Sequence, residues 1–579
     1  MAIPVNAQDS EFSYGWHRFQ NNFDPGTYGI YPHQMSLSED TVFSLSTYRG
    51  DSCEVLVGSG QDWLYTSTLG QDGEVLFVSK YLEDGSYLAS IPLLSTSWYL
   101  NTDFFVAQGD LLIIGFGINL STDINFTPNG SPTGLYTLPG PDYVGVIAFY
   151  KKNGDYQGHI EYPNVDLEDG VWGENGDLYV SGSFQNTVDF DFSAGSDVLT
   201  SNGYYDGFVL KMNALTQSYG WTKTVGGSQY DNFPYLSYSE NAIAAMGYIE
   251  NTENVDIDPG NGVHPINGLG QLIFLQLDAS GNTANTTHIS STFDNEEPAG
   301  FVADDEGNFY FLLHNAYPSN GIDFDPGAGT VNPPTSPNND AVYLVKLDNQ
   351  FQYVWHTSYT SDNTVNIYYT WAKNSLINGH SYIAIALDYS GTTLYEHVST
   401  AGTNLFPTEP TTQFGFAAVG KTSGAIDDLV MYPINLGFYF RDHKANIDGD
   451  LFFAGNLNYM GNYIDLNPFN LIDEFDSITT SSYHPFMSRI NWSGYLELKA
   501  NATLQDFEVS PNPSSGFIKV NAPHANTIQV LDMHGVPLLE ESLKQMPQTI
   551  SLADLPTGMY FLKVIDEEGH YGVERLVKQ

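Results

Sequence analysis

The chain has 579 residues, 68 acidic against 19 basic, for a formal net charge of -49. That balance repels nucleic-acid phosphates and anionic lipid surfaces, leaving cations, neutral glycans and basic proteins as partner classes, and it also keeps a large aromatic surface soluble. With 39 Tyr, 35 Phe and 55 Gly the composition favours strands broken by turns, hence an all-β chain; Cys53 alone excludes an intrachain disulfide or cysteine-built zinc site, and no apolar run approaches the roughly 20 residues that span a bilayer.

Residues 1–11, "MAIPVNAQDSE", contain "VNAQ", which reads as the small-residue end of a secretory signal, or the stretch is an ordinary N-terminal tail. From residue 12 one landmark recurs, an acidic or Gly turn followed by an aromatic-rich strand, as in "GENGDLYVSGSF", "ADDEGNFYFLLHN" and "NIDGDLFFAGNL". The turn residues Asp40, Asp110, Asp177, Asn241, Asn308, His380 and Asp450 are 70, 67, 64, 67, 72 and 70 apart, which makes seven units of one period. A strand, short turn, strand pattern follows in phase, seven times. Gly85, Gly154, Gly281, Gly424 and Gly494 fill five of its turns, where positive φ suits glycine.

Between the two landmarks lies "VDFDFSAG", "VDIDPG" or "IDFDPG", starting its acidic pair at Asp189, Asp256 and Asp323, each 67 from the last. Two readings compete. The alternation puts Asp189 with Asp191, Asp256 with Asp258 and Asp323 with Asp325 on one side of an extended segment, which suits calcium. Calcium wants about six oxygens, however, and looser copies at Asp123 and Asp465 lose them, which favours repeat punctuation. Lys80, Lys211, Lys346 and Arg489 recur nearby as expected partners for these aspartates.

Four strands per unit of about 67 residues describe a propeller blade, and seven units describe seven blades over residues 12–500. The units resemble the β-propeller repeats of exported bacterial proteins. That resemblance identifies architecture and transfers no catalytic residue. "SYGWHRF" at 13–19 resembles "SYGWTKT" at 218–224, the end of a unit, so either 13–19 or "YLELK" at 495–499 closes the ring.

Residues 501–579 lack the repeat and read as a small C-terminal β-sandwich: "FEVSPNPSSGFIKV", "IQVLDMHGVPLLE" and "ISLADLPTGMYFLKV" are alternating strands parted by turn residues. This segment resembles the type A C-terminal sorting domain of the type IX secretion system. The resemblance rests on Pro511, Asn512, Pro513 and Gly516, then Gly535, Gly558, Tyr560 and the terminal Leu576, Val577 and Lys578. It implies passage through a Gram-negative outer membrane, the type IX machinery as partner, and a product secreted or attached to the cell surface.

No HExxH or GxSxG string occurs, and "RGD" at 49–51 is too short to carry weight. No catalytic residue and no cofactor is expected, calcium being the one candidate. The longest connections fall between second and third strands, which places them on one face with Tyr136, Tyr143 and Tyr483 as candidate contacts. The expected function is binding of a glycan or protein by a monomer. The alternatives are a glycan-active enzyme with carboxylates near the channel, or a surface-matrix component.

Overall fold

The computed structural model describes residues 12–19, 30–49, 52–57, 60–65, 74–97, 100–119, 123–127, 136–137, 143–239, 242–290, 296–315, 322–333, 341–361, 367–369, 376–378, 382–399, 402–433, 438–445, 450–458, 483–492, 507–510 and the greater part of 514–578. Apart from one short turn of 3-10 helix at Glu174–Gly176, the regular elements among them are strands. The chain forms two compact units, one essentially residues 14–490 and one dominated by 491–579.

In the first unit, antiparallel meanders follow one another along the chain. The first sheet holds Ile30–Ser38, Thr41–Arg49, Glu74–Leu82 and Tyr87–Thr96, and the second Asn101–Gln108, Leu111–Asn119, Tyr143–Lys151 and Tyr156–Pro163. The third holds Val165–Trp172, Asp177–Phe184, Asp206–Asn213 and Ser218–Val225, and the fourth Asp231–Ser239, Ala242–Asp256, Pro265–Asp278 and Thr283–Ser290. A nine-stranded fifth sheet contains two meanders, Glu296–Ala303 to Tyr353–Ser361 and then Leu376–Asn378 to Ile426–Pro433. They merge because Tyr382–Val398 runs long enough for its end to pair with Tyr353–Ser361. The last sheet, Phe438–Ala445, Leu451–Asn458 and Tyr483–Trp492, takes Phe12–Phe19 as its fourth strand beside Tyr483–Trp492. The N-terminal copy thus supplies the fourth strand of the last sheet, while the rival at 495–499 lies outside the described residues.

Second and third strands read as apolar runs because both of their faces are covered, as the burial of Leu112, Ile113, Ile114 and Phe116 shows. The core is therefore divided among the spaces between sheets. Phe43, Leu76, Leu112 and Val146 fill the first space, Phe104, Ile147, Leu178 and Phe208 the next, and Phe452, Ala454 and Met487 of the last sheet pack against Val42, Val75 and Phe77 of the first. Each first strand also lies against the first strand of the next meander, and Phe438–Ala445 lies against Ile30–Ser38. Backbone N–H groups tie these strands: Leu236 donates to Asp169 Oδ2 at 2.9 Å, and Met35 to Asp442 Oδ2 at 2.6 Å.

The recurring cations find partners other than the expected ones. Lys211 Nζ sits 2.7 Å from Asp177 Oδ2, Lys346 Nζ 3.9 Å from Asp304 Oδ2, and Arg489 pairs with Asp450, all acids at the junction of first and second strands. The lysines also donate to a hairpin carbonyl of the following meander: Lys211 to Ala279 at 2.8 Å, Lys346 to Lys421 at 2.9 Å, and Lys80 to Lys152. The "DFDPG" aspartates are too busy with their own loop to compete, as shown below. Beside the cation, Trp221 and Trp355 cover Gly281 and Gly424, whose φ of 79° and 73° and lack of room for a Cβ, 2.8 Å from the indole in both cases, demand glycine. Gly85 and Gly154 share the positive φ, while Gly494 is outside the described residues.

The second unit has a three-stranded sheet, Glu508–Ser510, Phe517–Asn521 and Gln548–Ser551, and a four-stranded sheet, Pro537–Ser542, Thr527–Leu531, Gly558–Ile565 and Tyr571–Lys578. Ile518, Val520 and Ile550 of the former share one core with Ile528, Val530, Leu562, Val564 and Leu576 of the latter.

Candidate functional site

The three acidic loops have one construction. The backbone N–H groups two and eight residues on donate to the first carboxylate: Asp191 and Asp197 to Asp189 at 3.2 and 2.8 Å, Asp258 and His264 to Asp256 at 3.1 and 2.7 Å, Asp325 and Val331 to Asp323 at 3.0 and 2.7 Å. The second aspartate repeats the two-residue turn: Ser193 donates to Asp191 at 2.9 Å, Gly260 to Asp258 and Gly327 to Asp325 at 2.8 Å. Between the two acids Phe190, Ile257 and Phe324 are wholly buried. A glycine four residues beyond the second acid gives its other oxygen space, since a Cβ on Gly195, Gly262 or Gly329 would lie within 1.9 Å of it. The Asp197 N–H holds the Asp189 carboxyl below the usual range. These oxygens serve as turn caps. Among the described residues no three His, Cys, Asp or Glu side chains converge as a metal set.

A more developed surface joins the third and fourth sheets. The connection 201–206, between second and third strands, runs beside 226–231, which leads into the fourth sheet. Tyr205 N–H donates to Gln229 O at 3.1 Å and Asp231 N–H to Tyr205 O at 3.0 Å. The loops approach so closely that a Cβ on Gly203 would meet Gly227 O at 2.4 Å. Two buried carboxylates hold them: Asp206 accepts from Asn202 N–H at 3.0 Å, and Asp231 accepts from Gly227 and, at 3.2 Å, from Glu250. Burial raises both carboxyls, that of Asp231 to about 7.

On these two loops stand Tyr204, Tyr205 and Tyr230, with ring centroids 5.0 and 5.2 Å apart in sequence, and Tyr204 is 67% exposed. Burial, with Glu168 next, raises the Tyr230 hydroxyl, and Glu250 Oε2 accepts the Tyr230 N–H at 3.3 Å. Alongside opens a cleft of about 460 Å³ lined by Asn202, Thr224, Gly226, Gly227, Ser228 and Asp256 among others. Exposed rings beside a polar cleft can stack on an apolar face while carboxylates and backbone groups meet hydroxyls.

Of the tyrosines expected from sequence, Tyr143 is half-buried in its strand, and its hydroxyl donates to Asp166 Oδ1 at 2.8 Å. Burial, then Asp103 and Asp166, raise its pKa. Tyr136 pairs with Ile124 in a two-residue strand and Tyr483 with Asn458; their side chains are outside the described ones. Tyr204, Tyr205 and Tyr230 were missed, although "YYDG" and "QYDN" carry the same Tyr-Asp pair. The string Gly415–Thr422 fits a G-x-x-x-x-G-K-T pattern, but it is the end of a strand and a hairpin turn with no helix after it, so it is no phosphate loop.

In the second unit Lys578, the last residue of its strand, is 8% exposed, and its ammonium donates to Ala553 O at 3.2 Å and to Leu555 O. Gly516 O accepts from Leu552 N–H at 2.9 Å, Gly558 opens the strand Gly558–Ile565, and Tyr560 is buried. Pro511, Asn512, Pro513 and Gly535 lie outside the described residues.

No curated protein matches the chain significantly. Among solved structures it is similar to the polysaccharide lyase Uly1, at 10% identity and a TM-score of 0.35 over 85% of this chain and 98% of that one. It is also similar to the phage phi92 endosialidase, at 9% identity and 0.27 over 97% and 88%. A third is the β-propeller domain of the Trilobed protease from Pyrococcus furiosus, at 10% identity and 0.25 over 66% and 96%. Residues 508–579 match the family described as "Secretion system C-terminal sorting domain". That segment is therefore a C-terminal sorting domain of the type IX secretion route, and it marks the chain for secretion and cell-surface attachment.

Proposed function

We propose that residues 12–500 form a seven-bladed β-propeller that displays a glycan-binding face, and that 501–579 is a β-sandwich which delivers it through the type IX machinery. Counting the nine-stranded sheet as two blades and Phe12–Phe19 as the last strand of the final one supports seven. The chain works as a monomer.

The observation that carries the binding reading is the tyrosine pair of loops: three clustered rings, latched by Asp206 and Asp231, beside a cleft of a size suited to small ligands. A glycan fits because rings stack on the C–H face of a pyranose while Asn202, Ser228 and Asp256 meet its hydroxyls. A glycan array probed with the full chain, and with Tyr204→Ala and Tyr230→Ala combined, tests this. The native chain should retain one or more glycans and the variant should lose them with its melting transition intact; equal retention by both sinks the reading.

The second reading, a glycan-active enzyme, is favoured by the raised Asp231 carboxyl near Asp206. Both acids, however, spend oxygens on backbone N–H groups rather than aiming them into the cleft. Release of new reducing ends from a retained glycan would promote this reading.

A further inference from the structure

We infer that the tyrosine face takes uncharged glycans and turns away anionic ones, uronates and sulfated sugars alike. This rests on the glycan-binding reading and adds the ligand's charge class.

Carboxylates gather around the face. Asp256 forms part of the cleft wall, and among the described residues that line the cleft none is Lys or Arg. Glu250 accepts the backbone N–H of Tyr230, and Tyr143 fixes Asp166 in the adjoining strand. Glu168 and Asp166 act on the Tyr230 hydroxyl through space, and Asp166 acts on that of Tyr205 as well. Glu168 is itself held, since Asn232 Nδ2 donates to its Oε1 at 2.9 Å.

Two consequences follow for a sugar. A hydroxyl donates to a carboxylate, so an uncharged pyranose gains charge-assisted hydrogen bonds at the rim while its apolar face rests on the rings. A sugar carboxylate or sulfate only accepts, and it enters a field already negative over the whole chain, with a formal net charge of -49. Like charges brought together in a partly desolvated cleft oppose binding of the wrong partner more strongly than any one contact favours it. A divalent cation bridging two carboxylates would cancel this, so the discrimination belongs to the protein without added metal.

The full chain, in EDTA, is titrated by calorimetry with three hexasaccharides: a neutral β-linked glucan, its amino-sugar counterpart and a polyuronate. At about 20 mM salt the neutral hexamer should bind at least about tenfold more tightly than the uronate, and the gap should narrow at about 0.5 M salt as screening shortens the field. Glu250→Gln should narrow it too. Uronate binding equal to or tighter than that of the neutral hexamer overturns the charge inference while leaving glycan binding in place. Failure of all three, together with an array that retains nothing, overturns the glycan reading and this inference with it.

Discussion

Arg489 Nη1 donates to the carbonyl of Glu83 at 2.6 Å, across 406 positions of sequence. It is the same bond that Lys211 makes to Ala279 and Lys346 to Lys421, but here it runs from the last sheet to the hairpin of the first. Its second terminal nitrogen, Nη2, pairs with the buried Asp450, and the guanidinium lies over the Phe452 ring at 5.4 Å.

Removing this cation should open the closing seam. Arg489→Met keeps the stem but takes the guanidinium away from the Asp450 carboxylate and the Glu83 carbonyl, a loss of about 3 kcal/mol for a buried pair broken on one side. Arg489→Lys should recover part of it, because lysine already makes the bond at positions 80, 211 and 346. Urea unfolding of the first unit reads both variants. A Met variant within about 0.5 kcal/mol of the native chain would show the contact to be incidental.

The parts of this architecture that were legible are those that repeat locally. All the seven turn landmarks fall at the junction of a first and a second strand where that junction is described, as with Asp40, Asp110 and Asn308, because strand period and turn chemistry are written in adjacent residues. Contacts between units were not legible. Nothing beside Lys211 announces Ala279, and Tyr205 and Tyr230 meet only because two loops from neighbouring repeats are zipped together. The sequence at 397–413, "HVSTAGTNLFPTEPTTQ", has the look of a long connection between a second and a third strand, yet Tyr382–Val398 and Gly402–Gly420 run into it as paired strands. Pairing along a partner strand overrides local turn propensity there.

Asp231 should give the first unit a measurable pH dependence. Burial, with repulsion from Asp206 and Glu250, holds its carboxyl up to about 7 against the N–H bonds from Gly227 and Glu250. The folded state thus keeps a proton that the unfolded chain releases near its ordinary value of about 4. The resulting stability is fully present below that value and is lost as pH rises through about 7, at most a few kcal/mol. His33 and His356, both pushed down to about 4 by burial, work in the opposite sense, losing stability as pH falls from about 6.5. The informative quantity is therefore a difference. Asp231→Asn mimics the protonated group, so its stability relative to the native chain should improve between about pH 5 and pH 8. A constant difference across that range would mean that Asp231 does not titrate there.

The acidic loops should behave as caps when substituted. Asp323→Ala removes the acceptor for both Asp325 and Val331 N–H and should cost about 1–2 kcal/mol. Asp323→Asn keeps an acceptor oxygen and should cost less than half of that. Neither value should change between EDTA and millimolar calcium, read by thermal unfolding. A calcium-dependent rise in the native melting temperature that Asp323→Asn abolishes would instead make the loop a ligand site.

Lys578 should matter through the fold of the second unit. Its ammonium is buried against the Ala553 and Leu555 carbonyls, and two residues earlier Leu576 enters the core, so the last strand is fixed from both sides. Lys578→Met retains the stem and its packing but leaves both carbonyls unsatisfied, a cost of about 1–3 kcal/mol. Lys578→Arg can still donate and should cost less, limited by the tighter space a guanidinium needs. If the residue acts by holding the strand, the fraction of chain exported should follow the stability of the second unit through this series, and growth at lower temperature should restore export of the Met variant. Stability is read by hydrogen exchange of Tyr571–Lys578, and export by the ratio of released to cell-associated chain. Export abolished in the Met variant, with exchange of that strand unchanged, would show that the secretion machinery reads the ammonium itself, which would then have to leave its carbonyl cradle to be recognised.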